Sequence, residues 1–186
     1  MDVKTAIQTR RAYRWLAPVK IEPEIIEQLA AAASLAPSCF NKQPWRFVFV
    51  YGREVLEKLK PAFSPGNEWC HDASMVIAVF SKKELDCAMK DGREYYLFDS
   101  GLAVMALILR ATELGLVAHP IAGFDPNKVR EVLGIPEEMT VVTLINVGKH
   151  DANINPKLSP DQAAGEASRP QRLSFEKFAY IDKYSE

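Results

Sequence analysis

The sequence predicts a single domain that contains both α-helices and β-strands. Segments with the periodicity of amphipathic helices alternate with short apolar runs of strand length. At 186 residues, the chain is long enough to bury most of the surface that it would expose when unfolded. It contains no internal repeat, so we treat residues 1–186 as one domain.

Five segments are predicted to be helices. The clearest start is Asp125 followed by Pro126, because aspartate caps a helix N-terminus and proline fits the first helical position. Gly134 is expected to close that helix. The other predicted helices run from Asp2 towards Arg10, from Pro23 to the stop at Pro37, over residues 53–62 and over residues 94–114.

Four short apolar runs are predicted to be strands. They cover residues 47–51, 75–80, 116–121 and 140–147. Continuous apolar character over this length is typical of strands that are buried on both faces. We therefore expect these runs to form the centre of the domain.

The predicted helix over residues 94–114 is apolar almost all round. Only Asp99 and Ser100 interrupt the apolar character of its middle part. A helix of this kind must be covered on every side, either by its own domain or by a second subunit. It is therefore the expected contact of a dimer.

The composition shifts after Gly148. Residues 153–170 are rich in proline, alanine, aspartate and serine, and this composition predicts an extended arm. The arm carries Arg169 and Arg172 towards its end. Residues 174–184 regain aromatic side chains and are expected to dock.

Charge and cysteine content exclude several classes of protein. A net charge of −1 gives no reason to expect nucleic acid or a membrane surface as partner. Cys39, Cys70 and Cys87 are odd in number and have no Cys-x-x-Cys spacing, which favours free thiols in a reducing compartment. With no apolar signal region at the start of the chain, we expect a cytoplasmic protein.

Motifs for side-chain catalysis are absent from the sequence. It has no Gly-x-Gly-x-x-Gly loop, no Walker loop and no Gly-x-Ser-x-Gly elbow. The three histidines, His71, His119 and His150, lack metal-ligand spacing. No catalytic side chain and no metal site is therefore assigned, and the composition favours chemistry carried by a bound cofactor.

A stiff polar loop leads into the first predicted strand. Ser38, Asn41 and two neighbouring polar side chains lie between Pro37 and Pro44, and the prolines restrict the backbone at both ends. Such a loop can hold a ligand. A capped turn, in which the polar side chains satisfy backbone groups, is the alternative.

Three arginines cluster at the end of the first predicted helix. Guanidinium groups bind phosphate or carbonyl oxygens with fixed geometry, so Arg10, Arg11 and Arg14 are candidates for anion binding. A solvated basic helix end explains them equally well, because arginine also suits a helix C-terminus electrostatically.

Four blocks of motif residues are spread along nearly the whole chain. They are Arg10-Arg11-Ala12-Tyr13-Arg14; Ala36-Pro37-Ser38 with Asn41, Gln43-Pro44-Trp45 and Phe47; Pro120-Ile121-Ala122-Gly123-Phe124 with residues 129–136; and Arg172 with Phe175-Glu176. Their residues and their order resemble the FMN-dependent nitroreductase family. Each block alone is a weak signal, whereas four blocks in order form a strong one.

The resemblance implies a nitroreductase-like α+β fold. A central, mostly antiparallel sheet of four or five strands is wrapped by helices, and residues 151–186 form an extended C-terminal arm. The resemblance also implies a homodimer with FMN sites at the interface of the two subunits.

The resemblance further implies how FMN is held. Arg10 and Arg172, with Arg169 as a weaker candidate, bind the terminal phosphate, and the backbone of Arg11 and Ala12 adds to them. Arg14 lies near the pyrimidine end of the flavin ring, where negative charge collects on reduction.

Two loops complete the implied site. Pro37, Ser38 and Asn41 contact the flavin from the other subunit. The loop of Pro120, Ile121, Ala122 and Gly123 lies at the flavin edge, where Ala122 and Gly123 bring backbone N–H groups to N5, and glycine permits that approach because it has no Cβ.

Two residues depart from the family pattern. Ala12 replaces the usual serine and removes a hydroxyl donor to the phosphate, and Ala122 stands where many relatives carry glutamate. At Ala122 the backbone N–H contact of the loop survives the change, whereas the local charge and the entry of substrate do not.

We therefore expect an FMN-dependent oxidoreductase that takes hydride from NADH or NADPH and delivers it to a nitroaromatic, a quinone or a similar flat acceptor. Two alternatives stay open. One is a non-catalytic flavin-binding protein for storage or sensing. The other is a specialised relative that removes halogens or processes flavin.

Overall fold

The computed structural model describes residues 1–153 and 155–184. In this part of the chain, a five-stranded antiparallel sheet packs against six α-helices. The predicted α+β fold is confirmed. Ile154, Ser185 and Glu186, which belong to the predicted arm, lie outside the described residues.

The elements follow one another in a simple order. The helices are α1 (Val3–Thr9), α2 (Pro23–Ser34), α3 (Arg53–Leu59), α4 (Tyr95–Glu113), α5 (Pro126–Leu133) and α6 (Pro160–Ala167). The strands are β1 (Leu16–Ala17), β2 (Arg46–Val50), β3 (Met75–Ser81), β4 (Val117–Ile121) and β5 (Thr140–His150). The two-residue strand β1 was not predicted, because it is too short to show a pattern.

Strand β5 organises the sheet. It pairs antiparallel with β3 and β4, so that Val147 faces Met75 of β3 and Ala118 of β4. Its last residues pair with β1, and β2 is added on the outer side of β3. Strand β5 therefore holds both β1, which follows residues 10–14, and β4, which precedes residues 122–124.

The sheet separates two hydrophobic cores. Val76 and Ala78 of β3 belong to the core beneath α3 and α5, whereas Met75, Ile77 and Val79 belong to the core beneath α2 and α4. Side chains of a strand alternate between the faces of its sheet, so β3 is buried on both sides. This explains the continuous apolar run in the sequence.

The helix caps agree with the sequence prediction. The Asp2 side chain accepts a hydrogen bond from the Thr5 backbone N–H at 2.7 Å, and Asp125 caps α5. Gly134 ends α5 with a positive φ of 65°, a conformation that costs glycine little.

The predicted extended arm contains a helix. Ser159 and Gln162 form a capping box, and Pro160 occupies the first position of α6. The low apolar content of this region predicts an extended segment and obscures the local signal for a helix. The prediction of an arm without secondary structure is wrong for residues 160–167.

The aromatic side chains at the end of the arm are exposed. Phe175, Phe178 and Tyr184 are exposed, and the rings of Phe175 and Phe178 and of Tyr180 and Tyr184 pair with each other. The predicted docking of residues 174–184 is therefore not seen in the described part of the chain.

Two of the three cysteines form a disulfide. Cys39 and Cys87 are bonded, while Cys70 is free and buried. The predicted free thiols at positions 39 and 87 are wrong, because the fold joins two loops that lie 48 residues apart in sequence. The cytoplasmic location stays a prediction.

Helix α4 is buried on one side and leaves apolar side chains exposed on another. Ala103, Leu107 and Ala111 face the core, whereas Leu97, Phe98 and Met105 are exposed. This surface fits the predicted dimer contact, which stays a prediction. None of the helices in the described residues has the length and apolar character needed to cross a membrane.

A buried histidine lies on β4 between the sheet and the first segment of the chain. The His119 ring packs against Trp69 at a centroid distance of 4.7 Å, and its Nδ1 atom lies 3.1 Å from the Tyr13 carbonyl oxygen. Burial lowers the pKa of His119 to about 4, and the positive charges of Arg14 and Arg10 act in the same direction. The folded protein therefore holds this imidazole neutral.

We expect His119 to make the protein less stable in acid. The pKa is 6.5 in the unfolded chain and about 4 in the folded protein, so between these values the unfolded state binds the extra proton. Stability is lost as the pH falls through this window, by up to about 3 kcal/mol. Urea unfolding at about pH 7 and about pH 4.5 should show a smaller loss for His119→Gln than for the wild type. A replacement of the exposed His150 by glutamine is the control, and equal losses in wild type and His119→Gln would contradict the assignment.

Candidate functional site

The two ends of the chain meet around an arginine-lined cavity of about 230 Å³. We call it the arginine cavity. It lies between the end of α1 and the end of α6, and the residues that line it are Arg10, Arg11, Ala12, Arg14, Gly165, Arg169, Pro170 and Arg172. The structure therefore brings together all six of the residues that were predicted to contact the phosphate and the adjoining part of FMN.

A buried carboxylate fixes the wall of the arginine cavity. Glu166 of α6 is only 4% exposed, and its two oxygens accept hydrogen bonds from the backbone N–H groups of Arg14 at 2.9 Å and Trp15 at 3.3 Å. The Arg14 guanidinium lies 4.0 Å from the same carboxylate. A buried charge needs such partners, so α6 and residues 10–14, the arginine segment, hold each other in place.

Two arginines of the cavity serve the backbone. The Arg11 guanidinium donates to the carbonyl oxygens of Gly165, Glu166 and Ser168 at 2.8, 3.1 and 2.9 Å. It thereby satisfies carbonyl groups at the end of α6. Arg169 donates in the same way to Gln8 and Arg10 at the end of α1, at 2.6 and 2.9 Å. Arg11 and Arg169 therefore hold the ends of α1 and α6 together at the arginine cavity.

Arg10 and Arg172 make the arginine cavity positively charged. Burial lowers the pKa of Arg10, and the neighbouring charges of Arg169 and Arg172 lower it further. Within the described residues, no carboxylate oxygen lies within 4.0 Å of the guanidinium groups of Arg10 or Arg172. Positive groups gathered without an anion provide a binding site for one.

The loop after β4 reaches the same region through an asparagine. Asn67 donates its side-chain N–H to the Gly123 carbonyl oxygen at 3.0 Å and accepts a hydrogen bond from the Trp69 indole at 3.3 Å. A Cβ atom at Gly123 would lie 2.4 Å from the Asn67 amide nitrogen, so this position requires glycine. Trp69 in turn lies beneath the Arg14 guanidinium, at 5.8 Å from the ring centroid.

Asn67 was missed in the sequence analysis. It follows Pro65-Gly66 in a turn and belongs to no motif that we identified. Its relevance comes from a contact with a loop 56 residues away, which sequence spacing does not show. The structure thus connects the predicted residues Ala122 and Gly123 with the side of the cavity formed by Arg14.

The loop between Pro37 and Pro44 is a capped turn. The Ser38 hydroxyl accepts a hydrogen bond from the Gln43 backbone N–H at 3.0 Å, and the Gln43 amide donates to the Asn41 side chain at 3.2 Å. Phe40, Asn41 and Gln43 all have positive φ values, of 46°, 57° and 48°. Three such residues without glycine make the loop strained, and strain of this kind is concentrated at functional sites.

This loop lies apart from the arginine cavity in one chain. Pro37 and Ser38 line a different cavity, of about 510 Å³, together with Cys39 and part of α4. The two cavities have no lining residue in common. The predicted contact of Pro37, Ser38 and Asn41 with a flavin from another subunit stays a prediction.

Two buried aspartates accompany the disulfide beside this loop. Asp99 of α4 accepts a hydrogen bond from the Cys39 backbone N–H at 2.7 Å, and Asp86 precedes Cys87. Burial raises the pKa of Asp86, and the nearby Asp99 carboxylate raises it further. The sequence analysis did not find this group.

Comparison with known proteins identifies related chains over most of the sequence. The family model described as the nitroreductase family matches residues 7–68 and 64–149. A protein of Archaeoglobus fulgidus, provisionally named NADH dehydrogenase/NAD(P)H nitroreductase, is 34% identical over 146 residues, which cover 76% of this chain and 82% of that protein. An NADH dehydrogenase of Thermus thermophilus is 27% identical and covers 80% of this chain and 86% of its own.

Solved structures share the fold. A crystal structure from Exiguobacterium sibiricum, provisionally named a nitroreductase and in complex with FMN, has a TM-score of 0.77 and 26% identity, with 98% of each chain covered. An oxidoreductase containing FMN has a TM-score of 0.84 and 25% identity, with 100% of this chain and 94% of that chain covered. The fold, the family match over residues 7–149 and the 34% identity agree with one another, and the chain belongs to the nitroreductase family.

Proposed function

We propose that this protein is an FMN-dependent oxidoreductase that uses NADH or NADPH to reduce a nitroaromatic, a quinone or a similar flat acceptor. The observation that carries the proposal is the arginine cavity, where Arg10 and Arg172 have no carboxylate partner among the described residues. Names of relatives support it, because they include NADH dehydrogenase and NAD(P)H nitroreductase, and two structural neighbours contain FMN.

The donor set of the arginine cavity fits a phosphate monoester. Guanidinium groups donate to phosphate oxygens with fixed geometry and remain charged at any physiological pH. Arg10 and Arg172 are available for this contact, while Arg11 and Arg169 hold the backbone around them. Ala12 adds only its backbone, so the guanidinium groups supply the binding energy.

The ring of FMN is placed between Arg14 and the loop after β4 in this proposal. Bound FMN supplies the two-electron chemistry that links the nicotinamide to the acceptor. Arg14 would favour negative charge on the pyrimidine end of the ring, because among the described residues its guanidinium pairs only with the Glu166 carboxylate, at 4.0 Å. Asn67 holds the Gly123 carbonyl oxygen at 3.0 Å, and the backbone N–H groups of this loop would face the opposite edge of a bound ring.

We also propose that the site is shared between two copies of the chain. The strained loop that contains Pro37, Ser38 and Asn41 lies at a cavity separate from the arginine cavity of the same chain. The exposed apolar residues of α4 lie beside that loop, since Phe98 lines the same cavity. Pairing of two α4 helices would cover this surface and bring the loop of one copy to the flavin of the other.

The purified protein is expected to release FMN on denaturation and to oxidise NADH or NADPH when a quinone is present. Chromatography of the released cofactor identifies it, and the absorbance of the nicotinamide follows turnover. Release of FAD, or of no flavin, would refute the cofactor assignment. Bound FMN without nicotinamide oxidation would instead favour a flavin-binding protein without turnover.

Replacement of Arg10 by alanine should weaken FMN binding by about 1.5–3 kcal/mol, the range for a hydrogen bond to a charged group. Riboflavin has no phosphate, so its affinity should change far less. Fluorescence titration of the apoprotein with both ligands measures the two effects. Arg53→Ala, which removes an exposed arginine outside the arginine cavity, is the matched control. Equal weakening of both ligands would show that Arg10 acts through folding.

Binding of FMN and assembly of the dimer should strengthen each other. If both chains contribute to one site, whatever the dimer adds to FMN affinity, FMN adds to dimer affinity. At free FMN of about 100 times its dissociation constant, each site would stabilise the dimer by about 2.7 kcal/mol. Sedimentation velocity over a dilution series, with and without FMN, should show dissociation of the apoprotein at the higher concentration. Equal dissociation constants in the two series would place the whole site in one chain.

A further inference from the structure

Three potential metal ligands meet beside the loop of residues 37–44. Cys39 lies in the turn Cys39–Asn41, and Asp86 and Cys87 lie in the segment between β3 and α4. The Sγ atoms of the two cysteines and one carboxylate oxygen of Asp86 all lie within 4.8 Å of one another. We call these three residues the thiol–carboxylate cluster.

The carboxylate of the cluster has an unused buried oxygen. Asp86 is 8% exposed, and its Oδ1 atom accepts a hydrogen bond from the Cys87 backbone N–H at 2.7 Å. Its Oδ2 atom is buried and has no hydrogen-bond partner in the part of the chain that the structure describes. A buried carboxylate oxygen without a donor is unfavourable, and a cation would satisfy it.

A second carboxylate supports the cluster from α4. Asp99 is 1% exposed and accepts a hydrogen bond from the Cys39 backbone N–H at 2.7 Å. It therefore holds the turn that carries the Cys39 thiol close to Cys87. Ligands of metal sites are commonly oriented by such hydrogen-bonded carboxylates.

We propose that the reduced thiol–carboxylate cluster binds Zn²⁺ through Cys39, Asp86 and Cys87, with water as the fourth ligand. Thiolate sulfur selects zinc over magnesium or calcium, and zinc also accepts carboxylate oxygen. Ligand atoms on a tetrahedral zinc ion lie about 3.5–3.8 Å apart, given its bond lengths to sulfur and oxygen. The three atoms lie within 4.8 Å of one another, and once the disulfide is reduced the two sulfurs must move apart to reach this spacing.

The thiol–carboxylate cluster has two forms in this proposal: an oxidised form with the disulfide and a reduced form that binds Zn²⁺. In the structure Cys39 and Cys87 are joined as a disulfide. A dithiol reductant transfers two electrons and two protons to this bond, yields two thiols, and becomes a cyclic disulfide itself. Zn²⁺ then binds the two thiolates and displaces their two protons.

Both forms link the same two segments of the chain. The disulfide and the bound zinc each hold the turn at Cys39 to the segment before α4, whereas the reduced, metal-free protein keeps the hydrogen bond from the Cys39 N–H to Asp99 of α4 but loses this cross-link. The site uses none of the arginines or loop residues assigned to FMN. Its test is therefore independent of the proposed function.

The test is a zinc titration of the full chain before and after anaerobic reduction with a phosphine. Thiol counting under denaturing conditions should rise from one to three per chain, since Cys70 is free in both forms. Competition with a chromophoric chelator should then show one Zn²⁺ per chain in the reduced protein and none in the oxidised protein. Cobalt in place of zinc should give thiolate-to-metal charge-transfer bands in the FMN-free protein.

Variants decide which residues bind the metal. Cys87→Ser should abolish zinc binding, and Asp86→Asn should weaken it by at least about 10-fold, because loss of a ligand costs no less than loss of a group that orients one. Cys70→Ser and Asp91→Asn are the matched controls, because the first removes the buried free thiol and the second an exposed carboxylate of the neighbouring segment. Circular dichroism establishes that each variant is folded.

Three results would overturn the proposal. They are a disulfide that the phosphine does not open in the folded protein, reduced wild-type protein that binds no zinc, and zinc binding that persists in Cys87→Ser. The last of these would place the metal elsewhere on the chain. In any of these cases the thiol–carboxylate cluster is a structural cross-link only.

Discussion

Strand β5 is the constraint on which the arrangement of the site depends. Its eleven residues pair with β3, β4 and β1, and Leu144, Ile145 and Val147 are fully buried. Because backbone hydrogen bonds fix the register of antiparallel strands, the end of β4 and the start of β1 cannot shift independently. The Gly123 loop and residues 10–14 are therefore held at a set separation, although no direct hydrogen bond joins them in the described part of the chain.

The second constraint is the buried carboxylate of Glu166. A carboxylate at 4% exposure is costly unless it is satisfied, and here two backbone N–H groups and a guanidinium satisfy it. These partners hold Glu166, and with it α6, against residues 14 and 15 despite the small apolar surface of the helix. Arg11 reinforces that choice, because its guanidinium caps the last carbonyl groups of the same helix.

Local signals in the sequence were sufficient for most of the fold and insufficient for the contacts within the site. Asp125, Pro126 and Gly134 act on their own neighbours, so the bounds of α5 could be predicted from spacing alone. Asn67 and the Cys39–Cys87 pair matter through contacts 56 and 48 residues away, which leave no periodic trace. Helix α6 has a local start signal in Ser159 and Gln162, but the polar composition around it predicts an extended segment. The family resemblance predicted that the arginines lie together, and in the structure they line one cavity.

The pairing of Arg11 with Gly165 also has a consequence for the order in which the protein is made. These residues are 154 positions apart, so a ribosome that adds about 5–20 residues per second needs on the order of ten seconds to produce the second after the first. The strands through β5 are synthesised before α6, so until α6 docks the backbone N–H groups of Arg14 and Trp15 lack their Glu166 partner. The arginine cavity therefore cannot close before residues 165–172 have been made, after every strand of the sheet that supports it.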